Sequence, residues 1–211
     1  MRSRGVRLDE GAAVIVLADY GAGNLRSVES GFARAGAETR VSSDLAVVRD
    51  APLVVIAGVG NAEAAARELE ARDLADALRE RVAAGRPVLG ICLGMQLFFE
   101  DSEEGGRGLG VLRGPVRRLD GPRVPHMGWN TLRLTGPTAL LEGLDGEDVY
   151  FAHSFGCAPG EPVAVAEVDH GGPVVAAVER DGVAGVQFHP ERSGPAGAQI
   201  LRNAVAWSRS A

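Results

Sequence analysis

Three short apolar runs limit what this chain can become. Residues 12–18, 53–57 and 88–91 are dominated by aliphatic residues and show no polar alternation. A strand with one wet face alternates apolar with polar, so a run without alternation predicts a strand buried on both faces, as in a parallel sheet sandwiched by helices. Each run leads into a glycine-bearing turn: Asp19-Tyr-Gly-Ala-Gly-Asn24, Gly58-Val-Gly60, and the stretch where Gly90 and Gly94 flank Cys92. A helical pattern follows each turn. Leu25, Val28, Phe32 and Ala35 recur at helical spacing until Gly36 stops them. Residues 63–84, rich in Ala, Leu, Glu and Arg, predict one long helix capped by Gly85, and residues 93–100 predict another. Residues 38–41 predict a further strand. Repeated strand–helix units predict an α/β fold: three layers, a mostly parallel central sheet with helices on both faces, the strand before Cys92 central, and a site at the strand ends.

Past residue 100 the pattern changes. Residues 111–119, 131–134, 149–155, 163–168, 174–179 and 183–188 predict strands, with hairpin turns at Asp169-His-Gly-Gly172 and Asp181-Gly182. The second half therefore adds antiparallel strands, and residues 196–207 predict a closing helix that turns Ile200, Leu201 and Val205 inward. No linker divides the chain, so residues 12–211 are expected to form one domain behind a loose tail of residues 1–11. The apolar run 12–18 is too short for a signal or a membrane span, which predicts a soluble, cytoplasmic protein. A net charge of −6 argues against nucleic acid as a partner. Two cysteines make neither a disulfide framework nor a zinc pattern, and no His-Glu-x-x-His is present, so no metal or cofactor is predicted.

The chemistry-bearing stretch is Arg86-Pro-Val-Leu-Gly-Ile-Cys92-Leu-Gly-Met-Gln96. Cys92 sits where strand gives way to helix. Small residues two positions to either side relieve the crowding of a sharp turn that holds a nucleophile clear of the backbone. The N–H groups at the start of the following helix are expected to favour the thiolate. Taken alone, a buried structural cysteine fits as well. A thiol nucleophile needs a base and a carboxylate to orient that base. His189, after the strand 183–188 and within Gln187-Phe-His-Pro-Glu191, is the best placed, and Glu191 is near enough to accept from its ring. A loop histidine bonded to a backbone carbonyl and a solvated carboxylate are the alternatives.

Gly90-Ile-Cys92-Leu-Gly94-Met-Gln96 and Gln187-Phe-His189-Pro-Glu191 resemble the paired signatures of the class I, triad-type glutamine amidotransferases. Asp19-Tyr-Gly-Ala-Gly-Asn24, Val124-Pro-His126-Met-Gly-Trp129-Asn130, Tyr150-Phe-Ala-His153-Ser154-Phe155 and residues 103–110 narrow the resemblance to the glutaminase subunits of imidazole glycerol phosphate synthase, from about residue 14 to residue 207. The resemblance implies that Cys92 attacks the side-chain amide of L-glutamine, His189 transfers the protons and Glu191 orients His189. It implies backbone oxyanion donors at Leu93 and Val59, the latter pointing away at rest, with Gly58 and Gly60 permitting a peptide flip. Gly58, Gly60, Gln96, Ser154 and Phe155 would bind substrate. It further implies that ammonia passes to a (β/α)8-barrel cyclase, on a separate polypeptide, docked against Asn24, His126, Trp129 and Arg192. The glutaminase of pyridoxal phosphate synthesis and a non-catalytic docking protein of the same fold are the competing readings. The chain departs from the family pattern at Ala57, where Pro is usual, at Asn61-Ala-Glu-Ala, at Gly156, and at Arg192, where Lys is frequent. Altered gating at the oxyanion turn is the expected consequence of Ala57.

Overall fold

The computed structural model describes residues 14–210. The expected tail, residues 1–11, lies outside them. The elements run β1 (Ile15–Ala18), α1 (Leu25–Arg34), β2 (Thr39–Ser42), α2 (Leu45–Asp50), β3 (Val54–Gly58), α3 (Ala62–Ala71), α4 (Leu74–Ala83), β4 (Val88–Cys92) and α5 (Leu93–Gln96). Then come β5 (Asp101–Ser102), β6 (Pro115–Arg118), β7 (His126–Thr131), β8 (Arg133–Leu134), β9 (Asp148–His153), β10 (Phe155–Cys157), β11 (Ala164–Asp169), β12 (Pro173–Arg180) and β13 (Val183–Val186), a 3-10 turn at Pro190–Arg192, and α6 (Gly194–Trp207).

The main sheet has eight strands in the order β2-β1-β3-β4-β13-β12-β11-β8. The neighbours from β2 to β13 are parallel, and the pairs from β13 onward are antiparallel. Successive residues of β1 serve opposite layers. Ile15 and Leu17 pack with Phe32 of α1 and Leu201 of α6, whereas Val16 and Ala18 pack with Leu69 of α3 and Leu78 of α4. This two-sided burial is the physical reason the first-half strands lack polar alternation. The expected α/β, three-layer architecture with added antiparallel strands is the one observed.

Several expected boundaries are corrected. The single helix over 63–84 is two, α3 and α4, broken where Asp73 takes a left-handed φ of 56°. High helix propensity on both sides hid that break. The helix expected over 93–100 ends at Gln96, and tighter i→i−3 bonds, Phe98 N–H to Met95 and Phe99 N–H to Gln96, finish the turn. Of residues 111–119 only Pro115–Arg118 is strand, and the run 149–155 is two strands, β9 and β10, that belong to different small sheets. Besides the two-residue β5 and the 3-10 turn, two elements of the fold are not announced by the sequence. The short helix α2 is capped by Asp44, whose Oδ1 accepts from Ala46 and Val47 N–H. The other is β7, which carries Gly128 and Asn130, both poor strand formers, yet pairs with β9 across six positions from His126 to Thr131.

Arg81, in α4, is 1% exposed. Its guanidinium donates to the carbonyls of Pro87, Val48 and Arg49, tying α4 and α2 to the chain entering β4. Arg81→Met keeps the apolar stem and removes these charge-assisted bonds. Since such bonds are worth about 1.5–3 kcal/mol each and do not add fully, a loss of about 2–4 kcal/mol is expected. It should be read as a lower denaturant midpoint at unchanged slope.

Candidate active site

The strand β4 ends on Cys92 and α5 begins on Leu93, with no residue between them. Cys92 adopts φ 55° and ψ −110°, a backbone conformation costing a non-glycine residue about 1–3 kcal/mol. The neighbouring glycines make that geometry possible through close approach. A Cβ on Gly90 would lie 2.6 Å from the Met95 amide nitrogen, and one on Gly94 would lie 1.8 Å from the Ile56 carbonyl oxygen. The turn is thus packed against its own helix at Gly90 and against β3 at Gly94, so tightly that neither position has room for a Cβ.

His189 reaches Cys92 because β13 runs parallel to β4 with Val186 opposite Ile91. The chain leaving β13 therefore emerges beside the chain leaving β4, at the end of the sheet where ligand crevices form. The His189 backbone is pinned by its N–H to the Tyr150 carbonyl, at 2.9 Å, and by Ser193 Oγ donating to the His189 carbonyl, at 2.7 Å. Its Nδ1 donates to Glu191 Oε1 at 2.9 Å, within a pair whose side chains are only 8% and 4% exposed. Glu191 is seated against α1. Arg34 donates to its carbonyl at 2.9 Å, and Gly31 leaves room where a Cβ would sit 3.1 Å from Glu191 Cβ. Glu191 Oε2 is buried without a hydrogen-bond partner, so the His189 ring is the group this carboxylate faces.

Burial by itself pushes the His189 ring down. Hydrogen bonds to Cys92 and Glu191, with the charges of both, outweigh it and raise the ring to about 10. The folded value lies above the usual 6.5, so the native state holds this proton more tightly than the unfolded chain. The resulting stabilisation is complete below pH about 6.5, declines above it, and is gone once the pH passes about 10. Chemical-denaturation titrations of the wild type and His189→Asn should therefore converge as pH rises from 7 to 10. A constant gap between the two would contradict the assignment.

A cavity of about 190 Å³ opens beside the sulfur. It brings together Val59, Gly60, Cys92, Leu93, Gln96, Ser154 and Phe155, all expected at the site, and adds Glu104, Pro125, Met127, Ala152 and His153, to which the sequence assigned no role. It is smaller than the roughly 300–1,000 Å³ that drug-sized ligands occupy and suits a single amino acid. A larger groove of about 430 Å³, near Arg117, Asp120 and His170, contains none of the expected site residues. Gly58 lies just behind the cavity wall. Its Cβ would come 2.4 Å from the hydroxyl of the fully buried Tyr20, which donates to the Ala57 carbonyl at 3.1 Å. Gly58 and Gly60 are thus glycine for different reasons. The first has no room for a side chain, and the second has open space but a φ of 98°.

The polar wall of the cavity is already partly satisfied. Phe155 carbonyl accepts from Gln96 Nε2 at 2.8 Å and from His153 Nδ1, also at 2.8 Å. With both lone pairs used, Phe155 has only its N–H to offer a ligand. His153 Nε2 must then be an acceptor, so His126 Nδ1 donates to it at 3.0 Å, and Asn130 Nδ2 donates to His126 Nε2 at 3.2 Å. Burial foremost holds both rings down at about 4, so this chain of imidazoles is neutral at pH 7. His153 is a satisfied strand histidine bordering the cavity.

Residues 16–207 match the family model described as glutamine amidotransferase class-I. A curated relative in Syntrophotalea carbinolica, imidazole glycerol phosphate synthase subunit HisH, is 44% identical over 202 residues, covering 90% of this chain and 98% of the relative. The HisH subunit of Methanothermobacter thermautotrophicus is 43% identical over 195 residues, covering 91% and 98%. The chain belongs to the class I glutamine amidotransferases. Solved structures agree on the fold. One described as a glutamine amidotransferase superposes with a TM-score of 0.76 at 20% identity, covering 94% of this chain and all of the other. PurLQS from Thermotoga maritima superposes at 0.74 and 20%, covering 93% and 99%.

Within this glutamine amidotransferase the residues expected at a partner surface fall into two groups. Asn24, at the start of α1, Trp129, 58% exposed, and Arg192 lie outside. The Arg192 guanidinium sits 4.4 Å above the Tyr150 ring, and Trp129 meets the same ring edge-on at 6.0 Å. This is a cation–π contact, which Arg makes more often than Lys. His126 is different: it is 4% exposed, stacked between Phe151 and His170. Gly156 accommodates Leu119, whose Cδ2 lies 3.0 Å from where a Cβ would be. Among the described residues no cluster of His, Cys, Asp and Glu is arranged to hold a metal ion, and no helix is long and apolar enough to cross a membrane.

Proposed function

We propose that this glutamine amidotransferase is the glutaminase subunit of imidazole glycerol phosphate synthase, a cytoplasmic enzyme that hydrolyses L-glutamine and passes ammonia to a (β/α)8-barrel cyclase of histidine biosynthesis. The observation that carries this reading is the buried line Cys92–His189–Glu191 beside an amino-acid-sized cavity. Extensive identity to HisH subunits supports the choice of client.

In the proposed reaction Cys92 Sγ, paired with the protonated His189 ring, attacks the side-chain carbonyl carbon of glutamine. A C–S bond forms and the carbonyl electrons move onto oxygen. Leu93 N–H and, after reorientation, Val59 N–H stabilise that charge, each such donor being worth about 3–4 kcal/mol. His189 gives its proton to the amide nitrogen, the C–N bond breaks, and ammonia leaves a thioester. Water then attacks the thioester, His189 takes its proton, and glutamate departs as the thiolate returns. Glu191 holds the ring in the tautomer that points Nε2 at the sulfur. Gln96 has spent both amide protons on Phe155 and Gln187, so its Oε1 is left to accept from the substrate.

Ammonia released into water at pH 7 is protonated and lost as a nucleophile, so delivery to a docked partner is part of the proposal. The exposed Trp129–Tyr150–Arg192 stack, with Asn24, is the proposed docking face, and buried His126 supports it from beneath. The test is glutaminase activity of this chain alone and with the cyclase plus its nucleotide ligand. Strong activity in the complex alone is expected. Absence of activity in both states, with tight binding retained, would show a docking protein instead.

A further inference from the structure

The mechanism above leaves one buried polar group beside the reacting atom without a task. Gln187 follows β13, is fully buried and does not line the cavity. Its Nε2 lies 3.7 Å from Cys92 Sγ, a hydrogen-bond distance for sulfur. Its Oε1 accepts from Gln96 Nε2 at 3.0 Å.

The orientation of this carboxamide follows from the network. The Phe155 carbonyl can only accept, so the Gln96 atom 2.8 Å from it must be the NH₂ group. That same NH₂ faces Gln187, which must answer with its oxygen. The Gln187 NH₂ is thereby turned toward the sulfur. Flipping it would set two NH₂ groups against each other, so the Gln96 amide fixes the orientation.

We propose that Gln187 is a further catalytic residue of the glutaminase reaction, whose side-chain amide donates to the Cys92 sulfur and favours its thiolate. A donor on a fully buried side chain stabilises S⁻ far more than S–H. It acts on the nucleophile each time the thiolate is present: before attack, and when the thioester is hydrolysed. Through Gln96 the donor is also tied to Phe155, so the sulfur and the substrate-facing wall share one rigid relay. This inference rests on Cys92 being the nucleophile.

The test uses Gln187→Met, which keeps length and packing but has no N–H, in the assembled complex with the cyclase. Glutamine-dependent kcat should fall about ten- to a hundredfold, the range spanned by one hydrogen bond to a charged group, with KM for glutamine nearly unchanged. Alkylation of Cys92 by iodoacetamide, followed by peptide mapping, should slow about tenfold at pH 7 and recover as the pH is raised. Cys157 is a built-in control, since burial and the nearby Cys92 charge push its thiol well up. Gln187→Glu, with an anionic oxygen against the sulfur, should lose more than Gln187→Met, and it serves as the second variant if the first does not fold. Wild-type kcat and alkylation rate in Gln187→Met would overturn the proposal, as would a loss that high pH does not restore. If Cys92→Ala still hydrolyses glutamine, the underlying assignment of the nucleophile fails instead, so the two failures are distinct.

Discussion

Cys92→Ala should abolish glutamine-dependent synthesis by the assembled enzyme and leave synthesis from added ammonium salts intact. Every bond-making step of the proposed reaction passes through this sulfur, and loss of a nucleophile of this kind costs on the order of 10⁵–10⁶ in rate. No other thiol can substitute, since Cys157, the second cysteine, is buried in the layer with Leu112 and Val163 and does not line the cavity. The substitution is mild for the fold. Alanine is smaller than cysteine, and relief of the strained φ of 55° is no greater for one than for the other. The measurement is product formation with glutamine and, separately, with ammonium at raised pH, alongside co-elution with the cyclase. Loss of both activities while the complex still forms would contradict delivery of ammonia from this site.

Gly94→Ala should destabilise the protein and cripple the site together. The added carbon would sit 1.8 Å from the Ile56 carbonyl oxygen and 2.7 Å from its carbonyl carbon. Both belong to the backbone of β3, which is hydrogen-bonded to β1 on one side and β4 on the other. Neither strand can yield alone, so α5 must lift off the sheet. Overpacking usually costs about 1–3 kcal/mol and more where backbone is the obstacle, so a loss of about 3 kcal/mol or more is expected. Lifting α5 also moves Leu93 N–H and the thiol together, so activity should fall further than the folded fraction alone explains. Thermal and chemical denaturation, with activity normalised to folded protein, would check both parts. A near-wild-type Tm would refute the wedge between α5 and β3.

Much of this arrangement is legible in the sequence. The apolar runs without alternation announced a sheet buried on both faces, because in such strands neighbouring residues enter different helix layers. The elbow was legible because its glycines are demanded by contact with backbone, a requirement that no other residue type meets. His189 and Glu191 were legible because two residues of spacing in a turn let one carboxylate reach one ring. What stayed hidden depended on distant partners. The β7 ribbon exists through pairing with β9, and Gly128 and Asn130 give no local sign of it. Arg81 reads as one more charge on a helical surface, yet it is buried by carbonyls from α2 and the start of β4. The burial of His126 arises from stacking on Phe151 and His170, forty-four residues further along in the second case. Gln187 and Gln96 stand ninety-one residues apart, and only the parallel register of β13 on β4 brings them together.

The most direct measurement is capture of the acyl-enzyme. The complex, turning over glutamine in the presence of the cyclase ligand, is quenched in acid and its peptides are mapped by mass spectrometry. The account predicts a glutamyl adduct on the peptide carrying Cys92, sensitive to hydroxylamine and absent from Cys92→Ala. Continued glutamine hydrolysis in Cys92→Ala, or an adduct carried by any other side chain, would contradict it.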